Sequence, residues 1–298
     1  MKANNRLSQL PLHLMVLPAL VIVIIYSYGP MFGVAMAFQN YVPTKGIFGS
    51  EWVGLKHFRF VMELPDTYEV LRNTVFIASM KIVAGMIFPL LISLLLNEVQ
   101  KEFVKRGIQT LIYLPHFLSW IILSGILIDI LSLKGVVNGF LGLFGIDPIL
   151  FLGDNHWFPY VMVVSDQWKD FGFSTIVYLA ALTSINPSLY EAAIVDGASR
   201  WKQTWHITLP GMAPIIILMM TLSLGSVLNA GFDQIFNLYS PSVYESGDII
   251  DTMVYRMGLI EGRYSLATAV GLFKSVVSLF LISISYYLAY RFANYRIF

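Results

Sequence analysis

Long apolar stretches separated by short polar ones set the pattern of this chain. Six can be traced, near 11–38, 71–97, 108–131, 157–184, 210–238 and 265–291. Each reaches the roughly 20 helical residues that cross a hydrocarbon core. The pattern predicts an all-α, polytopic membrane protein with about six transmembrane helices. No intervening segment is long enough for a separate domain, so 1–298 reads as a single transmembrane domain. The first run is too long for a signal-peptide core and precedes no small-residue cleavage site, which makes it a retained span. It should bend or end near Gly29-Pro30, because proline removes a helix donor.

Composition strengthens this picture. Apolar residues make up 57% of the chain, charged residues only 12%, and the mean hydropathy is +0.70. Soluble domains carry about 25% charged residues. A formal net charge of +1 argues against a nucleic-acid partner, which needs a basic face. Cysteine is absent, which removes disulfides, thiolate nucleophiles and cysteine metal sites.

Lysine and arginine set the expected orientation. With the N-terminus inside, segments 1–10, 98–107, 185–209 and 292–298 hold 8 Lys/Arg in 52 residues, among them Lys2, Arg6, Lys101, Arg200 and Arg296. Segments 39–70, 132–156 and 239–264 hold 6 in 83. The bias places both termini, and the polar segment 185–209, in the cytoplasm.

That polar segment contains EAAIVDGASRWKQTWHITLP, residues 191–210. Asn186-Pro187-Ser188 should end the fourth run. Ser188, three residues before Glu191, has the spacing of a capping box and predicts a short helix from about 189. Gly197 can take the left-handed conformation that ends a helix. A second short amphipathic segment carries Trp201, Trp205 and Ile207, and Pro210 is placed to open the fifth run. From the residues alone, the pair is either an interfacial anchor lying on headgroups or a knob for a protein partner.

The string resembles the EAA loop of permease subunits in binding-protein-dependent ABC importers. Glu191, Ala192, Ala193, Gly197, Ile207, Leu209 and Pro210 fill the family pattern, and Asp196-Gly197-Ala198 with Pro214 looks like its carbohydrate branch. Trp205 stands where many relatives place phenylalanine, which keeps an aromatic anchor. YGPMFGVAMAFQNYVPTKGIFGSEWVGLKHF (28–58), GFDQIFNLYSPSVYESGDIIDTMVYRMGL (231–259) and YSLATAVGLFKSVV (264–277) resemble permeases for polysaccharides or complex oligosaccharides. The resemblance implies a maltose-type permease fold in a bacterial cell membrane. It also implies that residues 191–193, 196–198, 207, 209 and 210 form a coupling loop against an ATPase. Its further implications are a second permease, expected as a heterodimer, two cytoplasmic ABC ATPases, an extracellular binding protein docking near 40–60, and an oligosaccharide substrate.

No phosphate loop is present; GLFKS (271–275) has Lys-Ser but no glycine before the lysine. ATP and magnesium are therefore expected on the partner ATPase, with no cofactor on this chain. The five histidines form no His-Glu-x-x-His motif, and Ser246-Gly247-Asp248 lacks the first glycine of a membrane-protease signature. Neither a catalytic nor a metal site is expected.

Ionisable residues within spans usually face a bundle interior or a wet cavity. They are Lys81, Asp129, Asp166, Lys169, Asp170, Asp233 and Lys274. Asp166 and Lys169, three apart, have the spacing of a self-neutralising intrahelical pair, and Lys81 and Lys274 can snorkel or pair with a carboxylate on a neighbouring helix. The candidate substrate path is Asn229, Phe232, Asp233, Gln234, Asn237 and Tyr239, with Trp168 and Phe171 from the fourth run. Polar groups can bind hydroxyls there and aromatic faces can stack on sugar rings, although packing would use the same aromatics. Two other readings compete with the importer. One is a secondary transporter coupled to an ion gradient through these charges; the other is a scaffold that transports nothing.

Overall fold

The structure, a computed structural model, describes residues 10–293. Lys2, Arg6 and Arg296, which contribute to the charge bias, lie outside the described residues, as do both termini. The chain divides into two compact units, residues 1–64 with 254–273, and residues 65–253 with 274–298.

The first unit opens with α1, Leu10–Val23. It widens to a π-helical turn at Ile24–Tyr28 and tightens to a 3-10 run at Gly29–Phe38. The expected bend at Gly29-Pro30 is thus a change of helix type. An 18-residue window of this span has no buried residue, so its apolar surface needs hydrocarbon or another chain around it. A short hairpin follows, β1 (Gln39–Asn40) pairing antiparallel with β2 (Glu51–Trp52) around α2 (Gly46–Gly49). The Gln39 carbonyl accepts from Ser265 Oγ at 2.7 Å and lies 3.0 Å from His57 Nε2. α3 (Lys56–Glu63) buries His57 and Val61. The turn-rich tract 40–60 is a folded loop closed by Ser50, whose Oγ donates to the Gly46 carbonyl at 2.6 Å and accepts from the Val42 amide at 3.1 Å.

The second unit contains α4 (Pro65–Glu98), α5 (Glu102–Tyr113), α6 (Trp120–Leu131), α7 (Val136–Gly142) and α8 (Phe158–Thr183). It continues through α9 (Pro187–Val195), α10 (Arg200–Gln203), α11 (Leu209–Leu224), α12 (Phe232–Leu238) and α13 (Tyr244–Gly247). α14 (Ile250–Tyr255) and α15 (Tyr264–Ala293) complete the chain order. α4 and α8 run in the same direction, matched at Phe76–Tyr160, Lys81–Asp166 and Pro89–Thr175. Their 34 and 26 residues correspond to about 51 and 39 Å of helix. The core gathers Ile77, Leu127, Phe158, Met162, Ile235 and Ile249, and a second cluster forms around Tyr178, Leu182 and Met212.

Among the described residues, five helices are long and apolar enough to cross a membrane. α8 has the length of a sixth, but Asp166, Lys169 and Asp170 lie in its middle. Two predicted runs are broken. The third divides where Pro115 begins a 3-10 turn and Ser119 caps α6, accepting from the Ile122 amide at 3.4 Å. The fifth ends at Leu224 and resumes as α12, because Gly225 to Gly231 leave the helical ladder.

Asn138, 3% exposed, pins the segment between α6 and α8. Its Nδ2 donates to the Ser132 and Ile149 carbonyls, both at 2.9 Å, and its Oδ1 accepts from the Ile149 amide at 2.8 Å. Asn138→Ala removes the partner of the partly buried Ile149 amide and carbonyl, at about 1–3 kcal/mol each at most, while the Ser132 carbonyl keeps the Gly135 amide at 2.9 Å. Limited proteolysis of the purified protein should then cut residues 143–150 markedly faster than in wild type; unchanged cleavage would show that the segment holds without this side chain.

Candidate functional site

Two places carry the chemistry, the elbow at 186–210 and the break in the fifth span. Pro187 at the start of α9 needs no amide partner, and Asn186 caps the helix, its Oδ1 accepting from the Ser188 amide at 3.0 Å. This corrects the capping-box reading. Ser188 already lies inside the helix, because Asn186 with Pro187 starts it two residues earlier.

The end of α9 explains the glycine of the motif. Ala198 N–H donates to the Ala193 carbonyl at 2.8 Å and Gly197 N–H to Ile194 at 3.0 Å, with Gly197 at φ +72°. That is a Schellman cap, and its turning residue must be left-handed. A Cβ on Gly197 would meet nothing within 4 Å, so backbone conformation alone demands glycine.

Beyond it, α10 runs through a π turn at Thr204–Thr208 directly into α11. The second half of the elbow is therefore the start of the fifth span and not a separate helix; Leu209 and Pro210 continue a helix already under way. Tyr190 Oη lies 3.0 Å from Thr208 Oγ1, Gln203 Nε2 donates to the Ala198 carbonyl at 2.9 Å, and Arg200 pairs with Glu98 at the end of α4. These contacts frame a cavity of about 570 Å³ between Asn97, Tyr190, Ile194 and Gln203.

α9 itself buries nothing. Leu189, Ile194 and Val195 are exposed, Val195 by 87%. Glu191, Ala192 and Asp196 are exposed too, Ala193 and Ala198 partly so. Neither Glu191 nor Asp196 uses its carboxylate within the described residues. Ile207 is half-buried, and Trp201 packs edge-on to Trp205 at 5.9 Å.

The break in the fifth span is organised by Lys81. Its ammonium donates to the Ala230 carbonyl at 2.7 Å and to Gln234 Oε1, and pairs with Asp166 at 3.0 Å. Gln234, fully buried, donates to Met162 O at 2.8 Å and Ser165 Oγ at 2.7 Å. Gly231, at φ +93°, has no Cβ to collide with Lys81 Nζ, which would lie 2.8 Å away. One cation thus ties α4, α8 and α12 together.

Here the predicted intrahelical pair is corrected. Asp166 bonds across to Lys81, while Lys169 donates to the His116 and Leu118 carbonyls at 2.8 Å each, where α5 and α6 separate. Asp170 meets His116 at 2.8 Å and Lys274 meets Asp251 at 2.5 Å.

The remaining candidates are brought partly together. Asn229 and Asp233 are exposed, Asn237 donates to the Asp233 carbonyl at 2.7 Å, and Phe232 stacks on Phe236 at 5.2 Å. Phe236 lies 6.3 Å from Tyr239, which in turn lies 5.1 Å from Tyr244. Trp168 is 38% exposed and lines an apolar groove with Tyr160 and Leu131; Phe171 is half-buried. Gln234 offers no free group, since Lys81, Met162 and Ser165 take its amide. Sequence reasoning missed the Lys81–Gln234 link and the Asn186 cap. Asn-Pro at the start of α9 signals the second, but nothing local signals the first.

Residues 82–294 match the model of the binding-protein-dependent transport system inner membrane component. The chain belongs to that family. It is 40% identical to the polygalacturonan/rhamnogalacturonan transport system permease protein YteP of Bacillus subtilis (strain 168), over 97% of this chain and 90% of the relative. It is 43% identical to Protein LplB of the same organism, over 94% and 89%. A bacterial ABC transporter involved in the import of the acidic polysaccharide alginate has a chain with TM-score 0.88 and 38% identity, covering 96% of both chains. The alginate transporter in complex with its alginate pentasaccharide-bound periplasmic protein gives 0.87 and 38%, covering 95% of both. This chain is thus an integral membrane permease of the maltose-type importer fold.

Lys81→Met should leave Asp166 buried without its cation and cost about 3–5 kcal/mol, with much of that returned by the double change Lys81→Met/Asp166→Leu. Thermal unfolding of the purified protein in detergent checks this. Equal midpoints for wild type and Lys81→Met would remove the role given to Lys81.

Proposed function

We propose that this chain is one of two permeases, paired as a heterodimer, in an ATP-driven importer of oligosaccharides. An extracellular binding protein delivers the sugar, and two cytoplasmic ATPases bind ATP and Mg²⁺ and drive alternating access. Both termini and the elbow face the cytoplasm. The observation that carries this is α9. It buries no residue, holds Glu191 and Asp196 without partners among the described residues, and is fixed at both ends by the Asn186 cap and the Gly197 turn. A rigid helix with an exposed mixed surface suits a cleft on a partner, whereas an anchor on headgroups would need a continuous apolar side.

The sugar passes the break in the fifth span, where Asn229 and Asp233 offer hydrogen-bonding groups beside Phe232 and Tyr239. Trp168 and Phe171 are the less favoured members of the path, and Gln234 has a structural role within it. Relatives named for polygalacturonan and alginate support a polysaccharide-derived substrate. The ion-coupled reading loses ground because Lys81, Asp166, Lys169, Asp170 and Lys274 are engaged by partners.

Glu191→Ala should reduce the ATPase recovered with the solubilised complex by about tenfold, the worth of one charged hydrogen bond. Gly197→Pro, which lacks the amide of the cap, should abolish recovery while the second permease stays bound. ATPase retained at wild-type levels in both variants would refute the coupling role. In uptake assays, Asn229→Ala with Asp233→Ala should slow transport while the assembled complex is recovered in full.

A further inference from the structure

At the end of α4 and α8 remote from the elbow lies a cavity of about 340 Å³, near the lower size limit of small-ligand sites. Its lining includes Arg72, Phe76, Asn155, His156, Tyr160 and Ser246, and no acidic residue. Arg72 is exposed, and its guanidinium makes a single long contact, 3.5 Å to Asn73 Oδ1. It therefore lines the cavity with a fork of donors that has no carboxylate partner among the described residues. The imidazole of His156 and the hydroxyl of Tyr160 make no hydrogen bond within the described residues.

The wall behind these groups is rigid. Asn73, 4% exposed, donates to the Glu245 and Asp248 carbonyls at 2.9 and 3.3 Å, which fixes the helix turn carrying Arg72 against α13, which carries Ser246. Ser246 Oγ donates to Asn155 Oδ1 at 2.8 Å, and Asn155 Nδ2 reaches Ser242 O at 3.3 Å and Glu245 Oε2 at 3.4 Å. Phe76 meets Tyr160 edge-on at 6.4 Å, and His156 lies 6.0 Å from the same ring. Phe76 and Tyr160 are 44% and 41% exposed.

A planar cation, fixed polar side chains and exposed aromatic faces in one hollow match one kind of ligand. A uronic acid has a carboxylate for bidentate pairing with arginine, hydroxyls for amide, hydroxyl and imidazole groups, and an apolar ring face for an aromatic ring. We infer that this cavity is a receiving subsite for one uronate residue of an acidic oligosaccharide. The inference rests on the importer reading and narrows its substrate class. Arg72 stands nine residues before Lys81 on α4, about 14 Å along the axis. A chain of a few sugars held at Arg72 therefore reaches the level of the break in the fifth span.

The test uses the whole importer in proteoliposomes, with the binding protein outside. The probes are trisaccharides of galacturonate and of mannuronate, each as the free acid and as the methyl ester. Arg72→Gln should raise the half-saturating concentration for at least one acid about tenfold and leave its ester unchanged. Arg72→Lys should stay within about threefold of wild type. Taking each variant relative to wild type cancels any preference of the binding protein. Because Arg72 has so little contact, the variants should assemble normally, and size-exclusion chromatography of the complex checks that.

Equal effects on acid and ester, or none on either, overturn the subsite. A wild-type importer that carries esters or neutral oligosaccharides and refuses both acids overturns it too, and leaves the importer reading standing. Absence of ATP-driven uptake of any sugar removes the importer reading itself, and the subsite falls with it.

Discussion

The buried ammonium of Lys81 is the contact on which the second unit depends. Breaking a helix inside a membrane frees backbone groups that hydrocarbon cannot satisfy. Here the carbonyl of Ala230, inside the break, accepts from Lys81, and the side chain of Gln234 in the first turn of α12 accepts from it as well. Asp166 supplies the countercharge from α8. A cation in an apolar interior is costly alone, so the break and the cation are tolerable only together. Phe158, Met162 and Ile235 pack around the same point, which places the polar knot inside the largest cluster of buried residues.

Much of the architecture was readable from the chain. Apolar runs located the spans because lipid demands long uninterrupted helices, and the elbow was visible because Gly197 and Pro187 act through backbone geometry, which is local. The interruptions were harder. Pro115 and the Gly225–Gly231 interval carry turn residues, yet the hydropathy run continues across both. Whether such a run breaks depends on who satisfies the freed carbonyls. For the fifth span, local turn bonds take the carbonyls of Leu222, Ser223, Leu224 and Ser226, and the partner of the Ala230 carbonyl is Lys81, 149 residues earlier in the chain.

The same limit governs the charges. Asp166 and Lys169 have the spacing of an intrahelical pair, and Asp166 also faces α4. Local spacing cannot choose between these, whereas a lysine already buried on α4 can. At the candidate path, the cluster Asn229–Tyr239 was legible as polar and aromatic together. The division within it was not, because Gln234 turns inward and Asp233 outward through their positions on a helix whose start the sequence left unmarked. The Arg72 cavity escaped sequence reading for a similar reason: its residues come from three segments, each unremarkable alone.

The continuity of α10 with α11 gives the elbow a mechanical meaning. Residues 200–224 form one uninterrupted helical stretch of about 38 Å, with the π turn as a soft collar near its base. Under the proposed coupling role, a push at Arg200 would be carried along the helix to Leu224, with the π turn and Pro214 as its two weaker points. Beyond Leu224 the helix gives way to the Gly225–Gly231 interval and the Lys81 contacts, so under the proposed coupling the motion would end beside Asn229 and Asp233.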